Sequence, residues 1–459
     1  MAANADTRVN RTPFISIAKS RAADRALARW GIVLAGGEGA RMRPLISDWL
    51  GEDRPKQYCT FVGSRSMFQH TIDRARLVVP EEHVVTIIGP GHRKFLAETE
   101  REHVPGLVLE QPINLGTAPG VFLPMAYVLA DDPEATVVLL PSDHFVHPEQ
   151  RFCDYIRHAF DLAEKYRDQL VLAAAIPDRA ETDYGWIAPG KQQTEGPSPL
   201  IPGPISVMCF QEKPAGREAL ALLRQGCLWN TMVVAARAKT LWALGRRHLP
   251  EMMYAFDAFL TVLRAVREGR VDPKFEATAL ASVYSDLAPA DFSKDILQHV
   301  SSQSILLPMD GVDWCDWGRP QRVTETLARL GRRPFFVPDG LENGLESATL
   351  ANESQKWWDL MKKVDREQTF EQILLSHVEM CYGVACNLTR NSADASDLTR
   401  KVLIEAWHRR EKADAMMDIK GKLLTAVRKR FQQDYCPVPR HLERTSLCGE
   451  GMPWIAQGV

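Results

Sequence analysis

An α/β fold built on a mostly parallel, mixed sheet and followed by a small all-α C-terminal domain is what this chain predicts. Three observations lead there. From Trp30 onward, short apolar runs alternate with helical stretches, the pattern of strand–helix–strand units. Glycine-rich and charged segments stand directly after apolar runs, where open α/β sheets hold their ligands. After Pro338-Asp339-Gly340 the alternation stops, and Ser354 to Tyr435 carries no strand-like run and little Gly or Pro.

Taken in order, residues 1–29 are polar and rich in Arg and Ala and read as a flexible leader. Strands are predicted at 31–35, 83–89, 107–110, 135–140, 170–175, 205–212 and 232–236, with helices at 67–78, 91–103, 118–130 and 151–165. The 459 residues suit two or three domains at roughly 100 to 200 residues each. A 45% apolar content allows a sizeable core, and a net charge of −2 makes any basic surface a local one. Nine cysteines show no Cys-x-x-Cys pair, so free thiols in a reducing compartment are expected rather than zinc or disulfides. No run approaches the ~20 apolar residues that span a bilayer, and the leader lacks a signal-peptide core, so the expected location is cytoplasmic.

The chemistry concentrates at strand ends. Gly31-Ile32-Val33-Leu34-Ala35 ends abruptly in Gly36-Gly37-Glu38-Gly39-Ala40-Arg41, with Arg54-Pro55-Lys56-Gln57 close behind. Glycines let the backbone approach phosphate oxygens and turn N–H groups toward them, while Arg41 and Lys56 supply charge. A dinucleotide-binding turn would need a third glycine where Ala40, Arg41 and Met42 stand. Asp143 follows the apolar run 137–140, where a carboxylate is either solvated or holds a cation. In Phe210-Gln211-Glu212-Lys213-Pro214, Lys213 offers a compact charge for a phosphate and Glu212 can accept from sugar hydroxyls. A Glu-Lys pair is common on solvated surfaces; its place between an apolar strand and a proline argues otherwise. Asn114 or Thr117 is positioned to cap the helix that begins near Ala118.

The run from Gly31 to Leu45, with Pro55-Lys56-Gln57, resembles the signature Leu-Ala-Gly-Gly-x-Gly-Thr-Arg-Leu-x-Pro-Leu followed by Pro-Lys-Gln of the sugar-1-phosphate nucleotidylyltransferases, with Ala40 in place of threonine. Further segments match in family order to about Arg322. Glu110 to Pro119 is similar to the loop that cradles the base, with Gly116 where asparagine is usual. Tyr184-Gly185-Trp186-Ile187 resembles a Tyr-Gly-Tyr-Ile turn, and the segment ending in Glu212-Lys213-Pro214 resembles that of the mannose-1-phosphate guanylyltransferases. Leu228-Trp229-Asn230-Thr231-Met232 resembles Trp-Asn-Ser-Gly, with Met232 where glycine is common, and Asp313 to Gly318 resembles the motif holding a second metal-binding aspartate.

The resemblance implies a Rossmann-like nucleotidyltransferase domain over 30–340. It further implies transfer of a nucleoside monophosphate from GTP to mannose 1-phosphate, giving GDP-mannose and pyrophosphate. Arg41, Lys56 and Lys213 would be catalytic, and Gly36, Gly37, Gly39, Gln111 and Thr117 would bind the nucleotide. Gly185, Glu212, Lys213 and Asn230 would hold the sugar phosphate. Asp143 and Asp316 would ligate Mg²⁺, with Asp313 as the fallback ligand. UTP, dTTP or ATP with glucose 1-phosphate stays open, as does a transcription-linked regulator that senses sugar nucleotides; a homo-oligomer is open too.

Residues 354–436 resemble region 2 of extracytoplasmic-function sigma-70 factors, through Asp394 to Leu398 and Val402 to Trp407, with Arg400-Lys401 where Gln-Glu is usual. Asn391 to Asp394 fit a turn and helix cap, and Val402, Leu403 and Trp407 fit a buried helix face. The basic residues Arg400, Lys401, Arg409, Arg410, Lys420, Lys422, Arg428, Lys429 and Arg430 suit protein or weak nucleic-acid contact, or a solvated face. Residues 437–459 read as a tail.

Overall fold

The computed structural model describes residues 28–97, 104–193, 203–336, 374, 377–408 and 419–435. The expected tail and residues 1–27 of the expected leader lie outside them, while Arg29, the leader's last residue, opens the first strand. Strands β1 (Arg29–Ala35), β2 (Val84–Ile88), β3 (Leu107–Glu110) and β4 (Thr136–Pro141) are followed by β5 (Phe145–His147), β6 (Leu170–Ala175), β7 (Trp186–Gln192), β8 (Ile205–Gln211), β9 (Leu228–Arg237), β10 (Ser304–Pro308) and β11 (Asp313–Cys315). Nine of these form one sheet in the order β3-β2-β1-β4-β9-β6-β10-β8-β7. Only β8 and β9 run against the other seven, which makes the sheet mostly parallel and mixed.

The β-branched runs predict β1, β2, β3, β4 and β6 within a residue or two at each end, because parallel strands covered on both faces are apolar throughout. Strand β7, which pairs with β8 and through Trp186 and Ile187 with β9, has Pro189, Gly190 and Lys191 in it, carries no such run and escapes the prediction, as does β10. Strand β9 is longer than predicted, and Asn230 lies inside it. The ladder with β6 shifts register at Ala173/Ala174, opposite Met232, whose φ of 58° marks the irregularity.

Helices α1 (Arg43–Leu50), α2 (Met67–Val78), α3 (Arg93–Ala97), α4 (Thr117–Asp131) and α5 (Glu149–Lys165) belong to the first half of the sheet. Of the helix predicted at 91–103, the described part is Arg93–Ala97. Helices α6 (Gly216–Arg224), α7 (Ala238–His248), α8 (Pro250–Arg267), α9 (Lys274–Asp286), α10 (Phe292–Asp295) and α11 (Pro320–Arg329) follow. One hydrophobic cluster centres on α4, α7 and α8 over one sheet face, and a second on α2 and α5 over the other.

The C-terminal helices are α12 (Val378–Thr389), α13 (Ser392–His408) and α14 (Ile419–Tyr435). Asn391 caps α13, its Oδ1 accepting from the Ala393 and Asp394 amides at 2.8 and 3.1 Å. Ala395, Leu398 and Val402 form its fully buried stripe, and Leu403 is partly buried. Trp407, expected on that face, is instead exposed at 36%. Five residues advance a helix by roughly 500°, which leaves Trp407 about 140° around from Val402. Several of the basic residues here face acids of the chain itself: Arg400 pairs with Asp397 (2.8 Å), Lys401 with Asp434 (3.0 Å), Lys420 with Asp48 (3.1 Å) and Arg430 with Asp434 (3.1 Å).

Candidate active site

The parallel strands β1, β3 and β4 deliver Gly36, Gln111 and Asp143 to the same sheet edge, each just past a strand's carboxyl end. Gly39 has φ 60°, and a Cβ there would stand 3.0 Å from the Lys56 Cβ and 3.1 Å from its backbone nitrogen. Glycine is therefore what lets the loop close onto Lys56. Gln57 secures that closure, its Nε2 donating to the carbonyls of Ala35 (3.0 Å) and Gly37 (2.8 Å). On the other side, buried Gln111 lies against Gly36, accepts from the Tyr284 hydroxyl at 3.2 Å and leaves no room for a Cβ at Gly36.

A two-stranded antiparallel ribbon brings the two aspartates together. Cys315 of β11 pairs with Phe145 of β5, so Asp316, just past β11, comes alongside the His144 and Asp143 that precede β5. Asp313, by contrast, pairs with His147 at the far end and is exposed, so Asp316 is the residue that joins the cluster. Buried Lys56 joins the pair: its Nζ lies 2.9 Å from Asp143 Oδ2 and donates to the Asp316 carbonyl. Asp316 Oδ1 accepts from Tyr184 Oη (2.7 Å), the Gly318 amide (2.8 Å) and Arg322 Nη1 (2.7 Å), and Oδ2 accepts from Arg41 Nη2 (3.0 Å).

Burial works to raise the pKa of both aspartates, and the neighbouring cations outweigh it. Lys56 and Arg322 hold Asp316 well below the usual carboxylate range, and Lys56 holds Asp143 below it too. Burial lowers the His144 pKa, so this imidazole is the neutral form near pH 7.

A second cluster gathers the residues expected to contact a sugar phosphate. Lys213 Nζ lies 2.9 Å from Glu212 Oε1. Glu212 Oε2 is buried, and among the described residues it has no hydrogen-bond partner. Burial raises the Glu212 pKa, offset only in part by Lys213. Lys213 holds φ 47°, a conformation a non-glycine residue keeps only when its surroundings impose it. Its amide donates to the Tyr184 carbonyl at 3.2 Å, and the Asn230 amide donates to the Gly185 carbonyl at 2.8 Å.

Asp183-Tyr184-Gly185 therefore links the clusters. Asp183 Oδ2 accepts from Arg41 (2.8 Å), Arg319 (2.7 Å) and Arg322 (2.9 Å), Tyr184 touches both Asp316 and Lys213, and Gly185 adjoins Glu212 and Asn230. Sequence reading named Gly185 alone from this link. Asp183, Tyr184 and Arg322 were legible only as members of motifs; the signal that could have found them is two arginines, Arg319 and Arg322, directly after an aspartate-bearing strand end.

Thr117 is placed differently from expectation. Neither it nor Asn114 caps α4: the cap is Gly116 at φ 94°, while Thr117 Oγ1 accepts from the Phe292 amide at 2.7 Å. A Cβ at Gly116 would stand 2.4 Å from the Ala290 carbonyl oxygen, which accounts for a glycine at this position. Asn114 instead spans the loop, its Nδ2 donating to the Gly36 carbonyl at 3.4 Å.

A model of the nucleotidyl transferase family matches residues 30–331. The chain belongs to that family. It is 28% identical over 294 residues to the mannose-1-phosphate guanylyltransferase RfbM of Salmonella typhimurium, covering 62% of this chain and 56% of that protein. It is 29% identical over 332 residues to an Escherichia coli mannose-1-phosphate guanylyltransferase, covering 71% and 65%. The chain thus spans between about half and two thirds of the length of the curated relatives it matches. Among solved structures, the mannose-1-phosphate geranyltransferase of Thermus thermophilus shares the fold with a TM-score of 0.54 at 24% identity, covering 65% of this chain and 79% of that one. The site clusters described above all lie within the residues the nucleotidyl transferase model matches. Among the described residues, no helix is long and apolar enough to cross a membrane.

Proposed function

We propose that this nucleotidyl transferase moves a nucleoside monophosphate from GTP to mannose 1-phosphate, forming GDP-mannose and pyrophosphate. The observation that carries the reading is Glu212 Oε2, a buried acceptor with no partner among the described residues, set beside Lys213 and linked through Tyr184 to the Arg41, Lys56, Asp143 and Asp316 cluster. A sugar hydroxyl would satisfy that oxygen, and Lys213 would meet the sugar's phosphate. The anion-rich reaction then falls between the two clusters. The names of the guanylyltransferase relatives support guanine and mannose over other pairs.

In this reading a phosphate oxygen of the sugar phosphate attacks the α-phosphorus of the triphosphate, the new P–O bond forms, and the bond to the β-phosphate bridging oxygen breaks as pyrophosphate leaves. The attacking oxygen is already ionised near neutral pH, so the protein needs no general base there. Its work is to hold two anions in line and offset their repulsion. Arg41, half exposed, turns from Asp316 toward the triphosphate; Lys56, buried at the α-phosphate end, neutralises developing charge; Lys213 holds the acceptor.

Asp143 and Asp316 are the residues that would hold Mg²⁺. Their donor set fits: two hard carboxylates beside a phosphate loop match an ion that takes one or two carboxylates plus phosphate oxygens and water. When bound, it supplies positive charge to the reacting phosphates.

The test is pyrophosphate release by the full-length chain with Mg²⁺, across GTP, ATP, UTP and dTTP against mannose, glucose and N-acetylglucosamine 1-phosphates. A dominant signal at GTP with mannose 1-phosphate is expected. A dominant signal elsewhere would replace the substrate pair, and silence throughout would overturn the reading.

A further inference from the structure

The segment that carries Lys56 has an unusual support. Lys56–Tyr58 form a single 3₁₀ turn, Cys59 after it is extended, and Cys59, Thr60 and Phe61 belong to no strand among the described residues. This stretch is buried, so its main-chain groups need partners. The Cys59 carbonyl accepts from the Met67 amide and the Phe61 carbonyl from the Phe335 amide, while the partners of Thr60 and of the Tyr58 carbonyl come from the C-terminal end of α12, more than three hundred residues later. Asn387 Oδ1 accepts from the Thr60 amide at 2.8 Å, and Asn387 Nδ2 donates to the Thr60 carbonyl at 3.3 Å and to the Gly383 carbonyl at 2.8 Å. One side-chain amide thereby bonds both main-chain groups of Thr60. Arg390 Nη1 donates to the Tyr58 carbonyl at 3.0 Å.

The other flank of the phosphate loop is held from the same side. Arg428 of α14 donates to the Leu50 carbonyl at the end of α1, and Lys420 pairs with Asp48. Met42, Ile46, Trp49 and Leu50 share one buried cluster with Met380, Val384 and Leu423. The arginine's backbone is the second observation. Arg390 closes α12 at φ 55°, the left-handed position where glycine is the usual residue. A side chain kept where the backbone resists one points to a task for that side chain.

We propose that Asn387 and Arg390 are positioning residues for Lys56, so that the C-terminal helices are a working part of the transferase site; this rests on the nucleotidyl-transfer reading above. Neither residue touches the reacting groups. They act by fixing the backbone of residues 58–60, which sets where the buried Lys56 ammonium sits between Asp143 and Asp316.

The experiment uses the full-length chain and reads three things: melting temperature, hydrogen exchange of the amides of residues 57–61, and kcat and KM with GTP, mannose 1-phosphate and Mg²⁺. Arg390→Gly is the informative variant, because glycine relieves the backbone while deleting the guanidinium. Expected are an unchanged or higher melting temperature, exchange at 57–61 faster by at least about fivefold, and kcat lower by about 5- to 20-fold with a smaller change in KM. Arg390→Lys recovers most of the rate, since it keeps a donor for Tyr58. Asn387→Ala shifts exchange and kcat the same way, and Arg400→Ala, an exposed cation of α13, leaves both alone. A folded Arg390→Gly protein with wild-type exchange or wild-type kcat overturns the proposal. A wild-type chain that releases no pyrophosphate with any donor overturns the transferase reading and this role together, and the exchange data separate that failure from a failure of the support itself.

Discussion

Replacing Asp316 by Asn tests the electrostatics of the site at the residue where most of its contacts meet. Asp316 is 8% exposed and accepts four hydrogen bonds, two of them from Arg322 and Arg41. Removing one partner of a buried ion pair costs about 3–5 kcal/mol. Arg322 retains Glu181 at 2.7 Å and Asp183 at 2.9 Å, which places the variant at the lower end, about 3 kcal/mol at neutral pH. For a chain of this size that is a drop of about 3–5 °C in melting temperature.

The pH dependence then has a definite sign. Arg322 and Lys56 depress the folded-state pKa of Asp316 against its burial, so its stabilisation is fully present above the unfolded value near 3.8 and is lost as pH falls toward the folded value. Between pH 4 and pH 3 the gap between wild type and Asp316→Asn should narrow by about 1 kcal/mol, at about 1.36 kcal/mol per unit. Thermal melts of both proteins from pH 7 to pH 3 read this directly. A gap that is absent at pH 7, or that stays constant through pH 3, would refute the assignment of Asp316 as the ionised centre of the cluster.

Lys56→Met keeps the apolar stem but deletes the charge between the aspartates, and initial rates with saturating substrates should fall by at least about 100-fold. Glu212→Gln should raise KM for the sugar phosphate by about tenfold or more while leaving KM for the triphosphate within about twofold, as steady-state kinetics with each substrate varied will show. Burial pushes the Cys59 thiol up to about 12, so iodoacetamide at pH 8 followed by peptide mass spectrometry should modify exposed Cys209 and leave Cys59 intact until the chain unfolds.

Much of this fold was legible because its parallel strands announce themselves. Runs such as Val137 to Leu140 and Leu170 to Ala175 are apolar on both faces, and the functional segments follow them at once. The site was legible wherever one residue type has few alternative uses, as with Gly39 packed on Lys56 or a carboxylate after a buried strand. What could not be read was pairing at a distance. The ribbon of β5 and β11 is only three residues per strand, too short for a period, yet it decides that Asp316 and not Asp313 meets Asp143. Thr117 looked like a cap because its type and place fit one, but its hydroxyl is taken by Phe292, 175 residues away. Trp407 shows the reverse error, an aromatic assigned to a core stripe from which helical geometry removes it. Asn387 and Arg390 are the extreme case, since nothing local ties a helix end to a 3₁₀ turn more than three hundred residues earlier.

The central claim is that the α-phosphate of the donor becomes bonded to the sugar phosphate. GTP carrying ³²P at the α position, and in a parallel reaction at the γ position, incubated with mannose 1-phosphate, Mg²⁺ and the full-length chain, follows that bond. The account predicts α label in a sugar nucleotide and γ label in pyrophosphate, in equal amounts. Label released from the γ position as inorganic phosphate, or α label that never leaves the GTP, would contradict it.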